Sequence, residues 1–124
     1  MVKVEKIIRV HKDGKVVEVK ALFDTGSKGS YLSKNVAERI GYETFKESKR
    51  IPLAVKDKYA KLIGDVTVYL EVEGFLLPER ETIGVIEGLV VDAIIGLNIM
   101  EKYGIYVEDN EIKLKRVPPT SMII

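Results

Sequence analysis

One carboxylate stands out by its position. Asp24 ends the apolar run Ala21-Leu22-Phe23 and is followed by Thr25-Gly26-Ser27. A charged group at the end of a buried strand is costly unless it is hydrogen-bonded or takes part in chemistry. Gly26 permits a sharp turn and lets another backbone approach closely. Thr25 and Ser27 bring hydroxyls that can fix the loop or bond the carboxylate. A carboxylate so placed can take a proton from water or give one to a carbonyl. The tripeptide alone reads first as a turn in which Asp24 bonds its own backbone. The context decides between the two readings.

Composition narrows the chemistry. The chain has 124 residues, no Cys and a single His. Thiol catalysis, a disulfide framework and Cys-ligated zinc are excluded. A His-rich metal site and a Ser-His-Asp arrangement are disfavoured, and no metal or cofactor is expected. His11 sits in a Lys/Asp/Gly turn and reads as a solvated loop residue. Hydrophobic residues make up 46% and charged residues 31%, the mixture of one globular domain. Twenty basic against 19 acidic residues leave a net charge of +1, with no general attraction to nucleic acid or anionic lipid. No stretch approaches the roughly 20 apolar residues of a membrane span. Residues 1–10 alternate charged with apolar side chains and lack a signal-peptide core, so a cytoplasmic setting is expected.

The elements that must position Asp24 are mostly strands, because period-two alternation dominates. Residues 2–10 and 16–23 form two strands around an Asp13-Gly14 turn. Residues 33–40 form a short helix, with Ser33 as its N-cap and Gly41 closing it. Residues 51–55 and 59–63 read as a hairpin tipped by Lys56-Asp57-Lys58. Residues 66–72 alternate clearly, and 81–86 and 89–95 are further strands, the last buried on both faces. Residues 97–103 form a second short helix closed by Gly104, and 105–107 with 112–114 a last hairpin. The domain is expected over 1–117, with an apolar tail over 118–124.

An apolar strand, Asp24-Thr25-Gly26-Ser27, a polar loop and a short helix resemble the layout of aspartic proteases. A second segment, Ala93-Ile94-Ile95-Gly96-Leu97-Asn98-Ile99-Met100, resembles the apolar-apolar-Gly stretch that leads into the C-terminal helix of retroviral-type proteases. The two motifs lie in the right order with a flap-like hairpin between them. The chain is thus similar to retropepsin-like aspartic proteases over residues 16–114.

The resemblance implies a mostly β, single-domain closed barrel of the acid-protease type, with one or two short helices. It implies an aspartic endopeptidase in which Asp24 is catalytic. Thr25 would clamp the active-site loops of two subunits, Gly26 would admit substrate, and Ser27 would hydrogen-bond the carboxylate. Ile94, Ile95 and Gly96 would support the loop from behind. This hydrolysis needs two carboxylates, one as base and one as acid. No second Asp-Thr-Gly exists in the chain, so a twofold homodimer must supply it. The alternative is a weak or inactive dimeric peptide-binding or assembly module with the same fold.

Two departures from the retroviral pattern bear on substrate contacts. The expected flap carries Lys56, Asp57, Lys58 and Tyr59 where a glycine-rich tip is usual. After the active-site loop come Lys28 and Gly29, where acidic residues are usual. Lys28 is most simply a solvated loop charge; if it faces the cleft, it favours acidic substrate positions. The first strand and Met122-Ile123-Ile124 are candidates for a dimer-forming sheet. The tail is otherwise loose or enters the cleft. The basic cluster Lys113-Lys115-Arg116 is too small, and aromatics too sparse, for a nucleic-acid surface.

Overall fold

The computed structural model describes residues 2–52 and 58–115. Ten strands and two short helices follow in the order β1 (Lys3–Lys12), β2 (Lys15–Asp24), β3 (Tyr31–Ser33), α1 (Lys34–Ile40), β4 (Glu43–Pro52), β5 (Tyr59–Val72), β6 (Phe75–Leu76), β7 (Glu81–Glu87), β8 (Ala93–Ile95), α2 (Leu97–Tyr103), β9 (Ile105–Glu108) and β10 (Glu111–Leu114). The main sheet runs β1-β2-β8-β3-β7-β5-β4, and β6 pairs with β5. Strand β1 also pairs with β5, Arg9 to His11 facing Glu71 to Tyr69, so the sheet curls back around one core.

Local chemistry accounts for most of these elements. Asp13 and Gly14 both take positive φ, 48° and 81°, which suits the tight turn between β1 and β2. Asp109 and Asn110 do the same between β9 and β10. The Ser33 hydroxyl accepts from the Val36 N–H at 3.2 Å and caps α1. Val36, Ala37 and Ile40 turn its apolar face inward. Phe23, Leu32, Leu70, Leu77, Ile83, Ile95 and Ile99 are fully buried. Each such side chain contributes about 2 kcal/mol of transfer free energy.

Helix α2 is tied to the sheet at its far end. The Tyr103 hydroxyl and the Lys102 ammonium both bond Glu81, and Lys102 also pairs with Glu79. The hydrogen bond to Glu81 holds the Lys102 ammonium protonated beyond its ordinary range. Burial first, and Glu81 next, do the same for the Tyr103 hydroxyl. Among the described residues, no helix is long and apolar enough to cross a membrane.

Four readings from sequence change. Residues 59–63 and 66–72 are one continuous strand, because a bulge near Gly64 absorbs the break in alternation. Its partner β4 begins at Glu43, eight residues before the expected strand, through a polar stretch that lies on the exposed edge. The expected strand over 89–95 is a strand only from Ala93. Gly88 has φ 80°, and the Val90 side chain is 98% exposed, so 89–92 is a surface loop. His11 lies within β1, one residue before its end, rather than in the turn, and its Nε2 sits 2.9 Å from Glu71 Oε1.

The expected flap tip, including Lys56 and Asp57, and the tail over 118–124 lie outside the described residues.

Candidate active site

Strand β2 carries the apolar run to its end at Asp24, which is only 9% exposed. Two neighbours hold that strand end. Strand β1 pairs antiparallel with it, Lys3 opposite Asp24. Strand β8 pairs parallel with it, Phe23 beside Ile95. The chain then turns. Gly26 N–H donates to Asp24 Oδ1 at 2.8 Å, and Ser27 N–H donates to the Asp24 carbonyl at 3.1 Å. Among the described residues Oδ2 has no hydrogen-bond partner, and Asp24 lines an open cleft of about 740 Å³.

The loop after Asp24 is braced by α2. That helix has no side-chain cap. Its first N–H groups are instead satisfied by the loop: Leu97 N–H donates to the Ser27 carbonyl at 2.8 Å, and Asn98 N–H to the Lys28 carbonyl at 3.0 Å. Ser30, which is buried, completes the brace. Its hydroxyl accepts from Gly96 N–H at 2.9 Å and donates to Asn98 Oδ1 at 2.7 Å. Replacing Ser30 with Ala strands a buried N–H and an amide oxygen. The expected cost is about 1–3 kcal/mol, read as a lower denaturation midpoint with an unchanged denaturant slope.

Gly96 is held even closer. A β-carbon there would stand 2.1 Å from the Gly29 carbonyl oxygen and 2.5 Å from that of Ser27. The Ile94-Ile95-Gly96 segment therefore packs directly behind the Asp24 loop. Ile95 faces the core and Ile94 lines the cleft.

One hydroxyl bonds differently from expectation. Ser27 Oγ donates to the Gly29 carbonyl at 2.8 Å, not to the carboxylate, because the loop curls Gly29 back over Ser27. Thr25 Oγ1 accepts from Val2 N–H at 2.8 Å, and Thr25 N–H donates to the Val2 carbonyl at 3.0 Å. The chain's own first strand thus continues the β1–β2 ladder past Asp24. The Thr25 hydroxyl hydrogen has only a long 3.4 Å contact to the Val2 carbonyl.

The cleft gathers Asp24, Gly26, Ser27, Lys28, Gly29 and Tyr59 from the residues singled out in sequence. It adds Ile51 and Lys61 from the expected flap hairpin, and Lys3, Tyr31, Leu89 and Val90, which sequence reading passed over. Lys58 is exposed beside the cleft wall but does not line it. Tyr59 is half exposed, with the Arg50 guanidinium 4.1 Å above its ring. The signal for Ser30 lay in the sequence only as a small polar residue after a glycine. The signal for Lys3 lay nowhere near the Asp24 motif.

An aspartate at the end of a buried strand, braced by a glycine-led helix beneath an open cleft, defines the class of retropepsin-like aspartic proteases. Residues 2–108 match the family described as "Aspartyl protease", and the chain belongs to that family. The chain is 32% identical over 106 residues to UBA domain-containing protein Mud1 of Schizosaccharomyces pombe, covering 82% of this chain and 31% of Mud1. It thus spans about a third of the length of that curated relative. Among solved structures, it resembles the retroviral protease-like domain of Ddi1 from Leishmania major (TM-score 0.65, 22% identity, 93% of each chain). It also resembles EIAV protease complexed with the inhibitor HBY-793 (TM-score 0.61, 18% identity, 86% of this chain and 93% of that one). A retropepsin-like aspartic protease from Rickettsia conorii aligns with TM-score 0.55 at 19% identity, over 91% of each chain. At these identities the structures speak for the fold.

Proposed function

We propose that the chain is an aspartic endopeptidase that works as a twofold homodimer, with Asp24 of each subunit meeting on the axis over one water. The observation that carries this reading is Asp24 itself: a nearly buried carboxylate, fixed by Gly26 N–H, on a braced loop lining a peptide-sized cleft. Two carboxylates held about 3 Å apart share one proton. The ionised one takes a proton from water as it attacks the peptide carbonyl, and the protonated one gives its proton to the carbonyl oxygen. The fixed loop keeps both groups oriented while this happens. Thr25 is suited to clamp the two loops, since its hydroxyl hydrogen is only weakly engaged within the chain. The strand pair 51–52 and 59–61 forms one wall of the cleft, where a flap would close over substrate.

Dilution and subunit mixing test this reading together. Specific activity on a denatured protein substrate is expected to fall as the chain is diluted through its dimer dissociation range. Equal amounts of wild type and Asp24→Asn, allowed to exchange, are expected to retain about half the activity per wild-type chain, because mixed dimers carry only one aspartate. Activity that is constant per wild-type chain at every dilution and mixing ratio rules out a shared site. A dimer that binds peptides and never cleaves them favours an assembly module.

A further inference from the structure

Two cations without an ion pair among the described residues lie at one cleft of this near-neutral chain. Lys3 and Lys28 both line the cleft beside Asp24. Neither ammonium forms an ion pair among the described residues. The two acidic groups in the lining do not offset them. Glu87 is already held by Lys34 at 3.6 Å and Lys61 at 3.3 Å. Asp24 would share one proton with its twofold mate.

Both lysines rise from fixed backbone. Lys3 stands opposite Asp24 in the β1–β2 ladder, and the Lys28 carbonyl accepts from Asn98 N–H. Both side chains are exposed, and their attachment points are held at the cleft. The Arg50 guanidinium adds a further cation over Tyr59 at the rim. Much of the remaining lining is apolar: Ile51, Pro52, Ile86, Leu89, Val90 and Ile94.

We propose that this cleft selects peptide segments with an apolar centre flanked by Asp or Glu, whose carboxylates pair with Lys3 and Lys28. This rests on the reading of the cleft as a peptide-binding site. A dimer brings two copies of each lysine to one groove, so the field would act on both flanks of the bound segment.

The test separates binding from cleavage. The probes are fluorescein-labelled decapeptides with a Leu-Phe centre and two Glu, two Gln or two Lys residues on each flank. Their affinity is measured by anisotropy for full-length Asp24→Asn, and their cleavage for wild type. The Glu peptide is expected to bind about tenfold or more tighter than the Lys peptide at low salt, with the margin shrinking as salt is added. Lys3→Glu/Lys28→Glu is expected to reverse the order. Lys15→Glu/Lys46→Glu, at two exposed positions that do not line the cleft, changes the net charge equally and is expected to leave it intact. Equal binding of the three peptides, no binding of any, or an order unchanged by the double reversal overturns the proposal. Selective binding of Glu peptides without cleavage by wild type upholds it and instead overturns the endopeptidase reading.

Discussion

Asp24→Asn is expected to lower kcat/KM by roughly 10³-fold while leaving the fold intact. The amide is the same size as the carboxylate, and its oxygen can still accept from Gly26 N–H, now at 2.8 Å from Oδ1. Nothing in the packing around the end of β2 has to move. What disappears is the group that takes the proton from water, and in a homodimer it disappears twice. The thermal midpoint is expected to hold or rise slightly, because a nearly buried charge has been replaced by a neutral polar group. Peptide-library digestion and a melting curve on the same preparation check both halves. Cleavage persisting at the wild-type rate would remove Asp24 from the chemistry, and a lowered melting point would show that the residue holds the loop instead.

Gly96→Ala has the second large expected effect, and its cause is steric. Gly96 has φ −102° and ψ −171°, values that any residue adopts, so no backbone strain is involved. The added β-carbon would lie 2.1 Å and 2.5 Å from two backbone carbonyl oxygens. Those oxygens belong to Gly29 and Ser27, in the loop that carries Asp24. Neither can swing aside like a flexible side chain. Relief requires the loop and α2 to part, which lengthens the hydrogen bonds from Leu97 and Asn98 and the Ser30 contacts. The expected loss is about 3 kcal/mol of stability, measured by denaturant unfolding. Activity is expected to fall further than stability explains, since a loop displaced by an ångström costs about 10²-fold in rate. A variant with wild-type stability and rate would mean that the two segments are not pressed together in the working protein.

The fold was legible where neighbours in sequence settle the structure. The Asp13-Gly14 and Asp109-Asn110 turns, the Ser33 cap and the glycines ending both helices act within a few residues of themselves. It was not legible where distant strands decide. The 43–50 stretch of β4 carries no apolar alternation, because its edge faces solvent and pairing with β5 alone makes it a strand. The apolar residues at 89–91 read as buried strand, yet they form a surface loop, with Leu89 and Val90 lining the cleft.

The site divides in the same way. Asp24-Thr25-Gly26-Ser27 stood out as a carboxylate ending an apolar run, and the resemblance to a family pattern gave it and Ile94-Ile95-Gly96 their expected roles. Ser30 bonding Gly96 and Asn98, the loop carbonyls capping α2, and Lys3 beside Asp24 joined the site only through the folded sheet. They depend on β8 running parallel to β2 and on the β1–β2 register. Local patterning reports which face of a strand is apolar. It carries no information about which strand lies beside it, and that pairing decides whose carbonyls, hydroxyls and ammonium groups surround the aspartate.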